Sequence, residues 1–232
     1  MSEPTALEPR LESWRPRVGR RIGRVLFHSL YRIRTIGADL VPAEGPVVLV
    51  ANHTGLLDGP FVFTVAPRPS HFLVKQQIFH GPLGWLFIRV GQIPVDRSIG
   101  DRRALLAART VLERGGAVGV FPEGTRGRGD VAQVHQGATW LVLQSGARVV
   151  PVACLGTRAT GAGRGSWPRL RSPLVAVFGE PFELTPDPAL PGRERMRVAT
   201  EQLRAGLAGH VTAAAEQVGM ALPADTPEPG RG

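Results

Sequence analysis

In the stretch ANHTGLLDGP, residues 51–60, His53 and Asp58 are separated by four residues, directly after the apolar run GPVVLV. A neutral imidazole can take up a proton near neutral pH, and a carboxylate on its other ring nitrogen fixes tautomer and orientation. His53 is therefore a candidate general base and Asp58 its orienting partner. Four residues turning from a strand into a helix would bring both side chains to the helix start. No nucleophile accompanies them. There is no G-x-S-x-G, and the single cysteine, Cys154, lies inside the apolar run VVPVACLG as a small core residue. The simplest chemistry makes the substrate supply the nucleophile: His53 removes the proton of a hydroxyl, which then attacks an acyl group. Such base assistance contributes about 10²- to 10⁴-fold. Taken alone, the pair also reads as a histidine that caps a helix or satisfies a loop.

Two further segments could hold an anion. GQIPVDRS, residues 91–98, ends a short strand in Asp96 and Arg97, and VGVFPEGTRGRGD runs from a strand into Glu123, Gly124, Thr125 and Arg126. A glycine-rich loop at a strand end exposes backbone N–H groups, and arginine adds a planar fork matched to phosphate oxygens. Together they suit a phosphate monoester. Glu123 is out of place beside an anion unless it holds an arginine or accepts a hydrogen bond from a substrate hydroxyl. Each loop by itself also reads as a solvated turn whose arginine pairs with a carboxylate.

Placing these loops requires strands that end at a common edge. Strands are predicted near Tyr31–Ile36, Val47–Ala51, His71–Lys75, Gln92–Val95, Ala117–Phe121, Val149–Leu155 and Leu174–Phe178. Helices are predicted near Leu57–Val65, Leu83–Val90, Asp101–Glu113, Ala132–Ser145 and Arg193–Gln217. Several strands are continuous apolar runs, as expected when helices cover both faces of a mainly parallel sheet. The fold class is α/β: a single domain with a central, mainly parallel mixed sheet flanked by helices. In such sheets ligands bind beyond the carboxyl ends of the strands. The segment 156–171 reads as a basic connector between two strands.

Ahead of the sheet, Leu11, Trp14, Val18, Ile22, Val25, Leu26, Leu30 and Ile33 recur at helical spacing, and eight arginines fall from Arg10 to Arg34. This predicts an N-terminal basic amphipathic helix. Arginines interrupt its first half, whereas a bilayer span needs about 20 apolar residues in a row. The helix could pack on the domain with its charged face in water. The excess of arginine over a lone Glu12 favours an acidic lipid surface, where each well-placed cation contributes about 1 kcal/mol. The opening MSEPTALEPRLESWRPR has acids and prolines where a signal peptide needs a basic start and an apolar core, so a cytoplasmic setting is expected.

The 232 residues carry a net charge of +9, which suits an anionic partner. Of 28 basic residues only Lys75 is a lysine, and it lies in SHFLVKQQIF, which has no phosphate-loop glycines. There is no G-x-G-x-x-G. Six scattered histidines without H-E-x-x-H, and one cysteine, offer no metal ligand set or disulfide, so no metal or bound cofactor is expected. An aromatic content of 6% and the lack of a recognition motif argue against nucleic acid.

NHTGLLD, GQIPVDR, FPEGTRGR and VVPV, in this order, resemble the four motifs of the lysophosphatidic acid acyltransferase family of phospholipid and glycerol acyltransferases. The resemblance runs from about Ile33 to Phe182. It implies transfer of a fatty acyl chain from acyl-CoA or acyl carrier protein to a hydroxyl of a lysophospholipid, most directly lysophosphatidate, at the cytoplasmic face of a membrane. Glycerol phosphate, lyso-ornithine lipid or a glycolipid are alternative acceptors, and a non-enzymatic lipid-surface protein is the alternative class. His53 matches the general base and Asp58 its partner; Arg97, Glu123, Gly124, Thr125 and Arg126 match positions for the glycerol phosphate. Pro151 matches the fourth motif, associated with the acyl or donor side, and Lys75 matches a basic position after the second sheet segment. Two departures are visible. Gly127 stands where a serine is common, and Val134, His135 and Gln136 replace a phenylalanine-lysine pair before Gly137. The expected organisation is a membrane-surface segment at 1–30, the acyltransferase domain at 31–218 and a disordered tail at 219–232.

Overall fold

The computed structural model describes residues 14–96 and 101–223. Its strands are β1 (Arg32–Ile36), β2 (Val47–Ala51), β3 (Ser70–Lys75), β4 (Ile93–Val95), β5 (Ala117–Val120), β6 (Arg148–Leu155) and β7 (Pro173–Phe178). Its helices are α1 (Trp14–Leu30), α2 (Asp58–Val65), α3 (Gly81–Arg89), α4 (Arg102–Glu113), α5 (Gln136–Ser145) and α6 (Gly192–Val218). Every residue of β2 and β5 is buried, which is why these strands are continuous valine-rich runs.

The strands form one sheet in the order β1-β7-β6-β2-β5-β3-β4. All neighbours pair in parallel except β6 with β7. Strands β2 to β6 therefore point one way, and the segments that follow them collect on a single edge. Phe27 of α1 and Phe61 and Val62 of α2 pack with Leu49 and Val152 on one face. Ala108 of α4, Leu141 of α5 and Leu203 and Leu207 of α6 pack with Val48 and Val149 on the other. This is the predicted α/β architecture, with seven strands and helices on both sides of the sheet.

Most boundaries fall within two residues of the sequence reading, and three differences are informative. Helix α1 stops at Leu30, and Ile33 belongs to β1. Helix α5 starts at Gln136 rather than Ala132, because the His135 N–H donates to the Pro122 carbonyl at 2.7 Å and Val131 adopts a left-handed φ of 55°. Residues 131–135 are thereby tied to the loop after β5. At the other end, left-handed Gly219 caps α6 and turns the chain back, so that Met220 and Leu222 pack on the core. The packed body thus runs past 218 to Pro223; the rest of the expected tail, like residues 1–13, lies outside the described residues.

The apolar stripe of α1 faces outward. Trp14, Val18, Ile22, Val25 and Leu26 are exposed, while Pro16, Arg20 and Phe27 are buried. Two glycines create the inner face: a Cβ on Gly19 would meet the Val90 side chain, and one on Gly23 would meet Thr64. Burial pulls the Arg20 guanidinium down to about 10, with the Arg24 charge adding to the effect. Among the described residues no helix is long and apolar enough to cross a membrane.

One contact in the centre of the sheet fixes the ring next to the site. A Cβ on Gly119 of β5 would clash with the ring of Phe72, which packs 5.9 Å from the ring of Phe121. Gly119→Val should therefore lower stability by about 1–3 kcal/mol through overpacking. A urea midpoint equal to that of the unsubstituted protein would contradict this close fit.

Candidate active site

The site begins where β2 stops. Asn52, the next residue, is fully buried and extends the β2–β6 pairing with its side chain: Nδ2 donates to the Cys154 carbonyl at 3.2 Å, and the Cys154 N–H donates to Oδ1 at 2.7 Å. The chain then turns through residues 53–57 into α2, whose first residue is Asp58. The Asp58 carboxylate folds back over this turn. Its Oδ2 accepts from Thr54 N–H at 2.6 Å and Gly55 N–H at 2.8 Å, and lies 2.8 Å from His53 Nδ1. The turn and the pair are one hydrogen-bonded unit.

The Asp58 side chain is 0% exposed and that of His53 14%. A buried carboxylate needs donors, and the end of β6 supplies more: the Thr157 hydroxyl bonds to Asp58 Oδ1, and the Cys154 thiol donates to it at 3.4 Å. Burial, with the Asp58 charge as the next cause, pushes the Cys154 thiol well up, so it stays protonated as a donor. With Asp58 as a carboxylate, the proton of the 2.8 Å contact belongs to His53 Nδ1, and Nε2 presents a lone pair. The imidazole also stacks on Phe121, centroids 4.4 Å apart and planes 29° from parallel.

The loop after β5 grips the main chain of the same histidine on both sides. The His53 N–H donates to Glu123 Oε1 at 2.7 Å, and the Gly127 N–H donates to the His53 carbonyl at 2.8 Å. Burial is the main cause that raises the Glu123 carboxyl from 4.5 to about 7; the His53 N–H opposes the rise, and Asp130 and Asp58 add to it. Gly124, with φ of 71°, closes the turn through its N–H to the Phe121 carbonyl, and the ring of His135 occupies the space a Cβ would need. Gly129 packs its α-carbon against Asn52 and Thr54 in the same way.

The residues singled out in the sequence fall into three groups. His53, Asp58, Glu123 and Gly124 form the bonded centre just described. Thr125 is exposed, and half-buried Arg126 donates through Nη1 to the Arg164 carbonyl at 2.9 Å, which ties the β5 loop to the 156–172 connector. Lys75 is exposed at the end of β3, opposite Val95 of β4, on the same sheet edge; Arg97 lies outside the described residues. Pro151 is elsewhere. It is buried within β6 opposite Val50, and its ring packs at Gly179. Its carbonyl accepts from the Gly179 N–H at 2.9 Å, one residue past the end of β7.

Sequence reasoning missed Asn52, Thr54, Phe121 and Thr157, and took Cys154 for core alone. Asn52, Thr54 and Phe121 adjoin motifs and their proximity was a usable signal. Thr157 lies 99 residues from Asp58, and nothing in the chain links the two. Chemically, the arrangement is an imidazole lone pair held at the rim of a sheet edge that also carries Arg126 and Lys75.

Residues 32–155 match the family described as Acyltransferase. A 1-acyl-sn-glycerol-3-phosphate acyltransferase from Chlamydomonas reinhardtii is 37% identical over 134 residues, 55% of this chain and 40% of that protein. One from Bacillus subtilis is 27% identical over 176 residues, 74% of this chain and 84% of that protein. A lyso-ornithine lipid O-acyltransferase from Pseudomonas aeruginosa is 31% identical over 157 residues, 66% of this chain and 56% of that protein. The chain thus spans less than half the length of the algal relative and most of the Bacillus one. The crystal structure of the 1-acyl-sn-glycerophosphate acyltransferase PlsC from Thermotoga maritima covers 88% of this chain, and the chain covers 79% of it, with a TM-score of 0.66 and 22% identity. The fold is shared.

Because the folded protein holds Glu123 at about 7 against an ordinary 4.5, the folded state binds more protons than the unfolded one in that interval. The stability this group contributes is full below about 4.5 and is lost as pH rises to about 7. Glu123→Gln keeps an acceptor for the His53 N–H and removes the titration. Its thermal midpoint relative to the unsubstituted protein should therefore climb between pH 4.5 and 7 and level off above. A difference constant across that range would rule out a buried, titrating Glu123.

Proposed function

The chain belongs to the acyltransferase family, and from that premise we propose that it transfers a fatty acyl chain from acyl-CoA or acyl carrier protein to the free hydroxyl of a lysophospholipid, with lysophosphatidate going to phosphatidate. The observation that carries this reading is the 2.8 Å contact of His53 with fully buried Asp58, braced on the loop that bears Arg126. Relatives named as 1-acyl-sn-glycerol-3-phosphate acyltransferases support the acceptor.

His53 Nε2 takes the proton of the acceptor hydroxyl as its oxygen bonds to the thioester carbonyl carbon. The tetrahedral intermediate collapses, the carbon–sulfur bond breaks, and the imidazolium returns its proton to the departing thiolate. An ester and a free thiol result. Asp58 keeps Nδ1–H directed and stabilises the imidazolium while it exists. Arg126, with Arg97 and Lys75, holds the acceptor phosphate, and Thr125 and Gly124 shape the loop beside it. Glu123 acts through the His53 main chain rather than on the acceptor. The acyl donor is the sole co-substrate, and the chemistry uses neither a metal nor a bound cofactor.

A second acceptor, a lyso-ornithine lipid, is favoured by the Pseudomonas relative and by His135 standing before α5 in place of a lysine. Its head group has no phosphate, so it makes less use of Arg126. The two readings part on that residue.

Acyl-CoA and the lysophospholipid are amphiphiles, and the outer surface supports their delivery from a lipid interface. Trp85, Leu86 and Ile88 of α3 are exposed like the outer stripe of α1, and Gly19 of α1 abuts Val90 at the end of α3. Arg15 lies over the Trp14 ring at 5.2 Å and Arg89 over the Trp85 ring at 4.5 Å. Apolar residues flanked by arginines on adjoining helices suit an anionic headgroup region.

Purified protein given acyl-CoA and lysophosphatidate should release free coenzyme A, and His53→Ala should abolish the release; persistent turnover would exclude this base. Arg126→Ala should raise the acceptor KM about tenfold or more, as expected for a lost charged hydrogen bond, with the donor KM within about twofold. The opposite split would move the phosphate site elsewhere. Replacing Trp85, Leu86 and Ile88 together by serine should weaken co-sedimentation with phosphatidylglycerol vesicles. Undiminished binding would remove α3 from the lipid-facing surface, whereas His53→Ala should bind vesicles normally.

A further inference from the structure

Asp58 cannot orient His53 unless something orients Asp58. Its Oδ2 is crowded with three partners, the N–H groups of Thr54 and Gly55 and the imidazole Nδ1. These fix one oxygen but leave the carboxylate plane to be set by the other. Oδ1 has three neighbours of unequal strength: the Thr157 hydroxyl at close hydrogen-bond range, the Cys154 thiol at 3.4 Å and the Thr54 hydroxyl at 3.5 Å. A thiol is a weak donor, and 3.5 Å is at the limit of a hydrogen bond. Thr157 is the strong one.

We propose that Thr157 is the positioning residue of the His53–Asp58 pair: its hydroxyl donates to Asp58 Oδ1 and sets the carboxylate plane so that Oδ2 meets His53 Nδ1. The placement of Thr157 supports this role. It is fully buried and lies two residues beyond β6. Asn52 locks the end of β6 to the end of β2 through Cys154. Gly55, inside the turn, comes so close to Thr157 that a Cβ would sit 2.9 Å from its carbonyl oxygen. The Thr54 and Thr157 hydroxyls are 3.0 Å apart, so the Thr54 O–H can donate to Thr157 Oγ1 while the Thr157 O–H is directed to Asp58. Chained donors of this kind strengthen one another in a buried setting. Three segments, 52–55, 58 and 154–157, therefore converge on one carboxylate.

The kinetic part of this inference rests on the acyl-transfer reading above; the geometric part does not. Thr157→Val keeps the shape and removes the hydroxyl, and Thr157→Ser keeps the hydroxyl. With acyl-CoA and lysophosphatidate, Thr157→Val should lower kcat about tenfold, the scale of a small misplacement of a catalytic group, with both KM values within about twofold. Thr157→Ser should recover kcat to within about twofold of the unsubstituted protein. In ¹⁵N-histidine-labelled protein without substrate, the downfield Nδ1–H resonance of His53, assigned by its loss in His53→Ala, should move upfield or vanish in Thr157→Val and persist in Thr157→Ser. An unmoved resonance in Thr157→Val overturns the proposal, as does a serine variant as impaired as the valine one, or a rise in KM with kcat intact. If the valine variant does not fold, Thr157→Ala against Thr157→Ser is read by the same criteria. Absence of transfer by the unsubstituted protein would refute the acyl-transfer reading alone, and the resonance would still decide the role of Thr157.

Discussion

A negative charge held away from water is the constraint from which the rest of the site follows. An unpaired buried carboxylate would be strongly disfavoured, so its environment must supply donors from every side. Around Asp58 they come from the turn that precedes it, from the imidazole and from the end of β6. Each donor constrains the element that carries it. The turn must be tight, β6 must end in register with β2, and the imidazole must present its other nitrogen outward. The solvation requirement of one group thus becomes the geometry of a reactive one.

The FPEGTRG loop extends this logic to the main chain. By accepting the His53 N–H through Glu123 and donating the Gly127 N–H to the His53 carbonyl, it holds the residue as a sheet neighbour would, although no strand reaches that far. It also projects Arg126 from the same few residues. The placement of His53 and that of Arg126 are therefore mechanically linked: displacing the loop would disturb both.

Much of the architecture was legible in the sequence because parallel strands covered on both faces need continuous apolar runs, and β2, β5 and β6 have them. All seven strands and the six helices occur where the chain suggested, and the meeting of His53 and Asp58 follows from a strand-to-helix turn of that length. What escaped notice depends on contacts between distant parts of the chain. The late start of α5 comes from the His135–Pro122 bond, which competes with helical spacing. The outward face of α1 could not be told from the inward one, since glycines at 19 and 23 decide it by close approach rather than by hydrophobicity. The bond of Glu123 to the His53 main chain was not visible in the sequence because the two residues lie 70 positions apart. Pro151 lies inside the sheet, opposite Val50 of β2.

The antiparallel step between β6 and β7, the one such step among the described strands, has a consequence for how such a protein can diversify. Connections between parallel strands must travel the length of the sheet, and their lengths are set by the helices they contain. The stretch from Gly156 to Ser172 makes no such journey: it leaves and re-enters the sheet at the same edge, touching the end of α1 through the Arg171 N–H to Leu30 and meeting Arg126 through the Arg164 carbonyl. With Trp167 and Leu170 turned to the exterior, it is a rim of adjustable height. Residues can be added or removed there while the strands on either side keep their register.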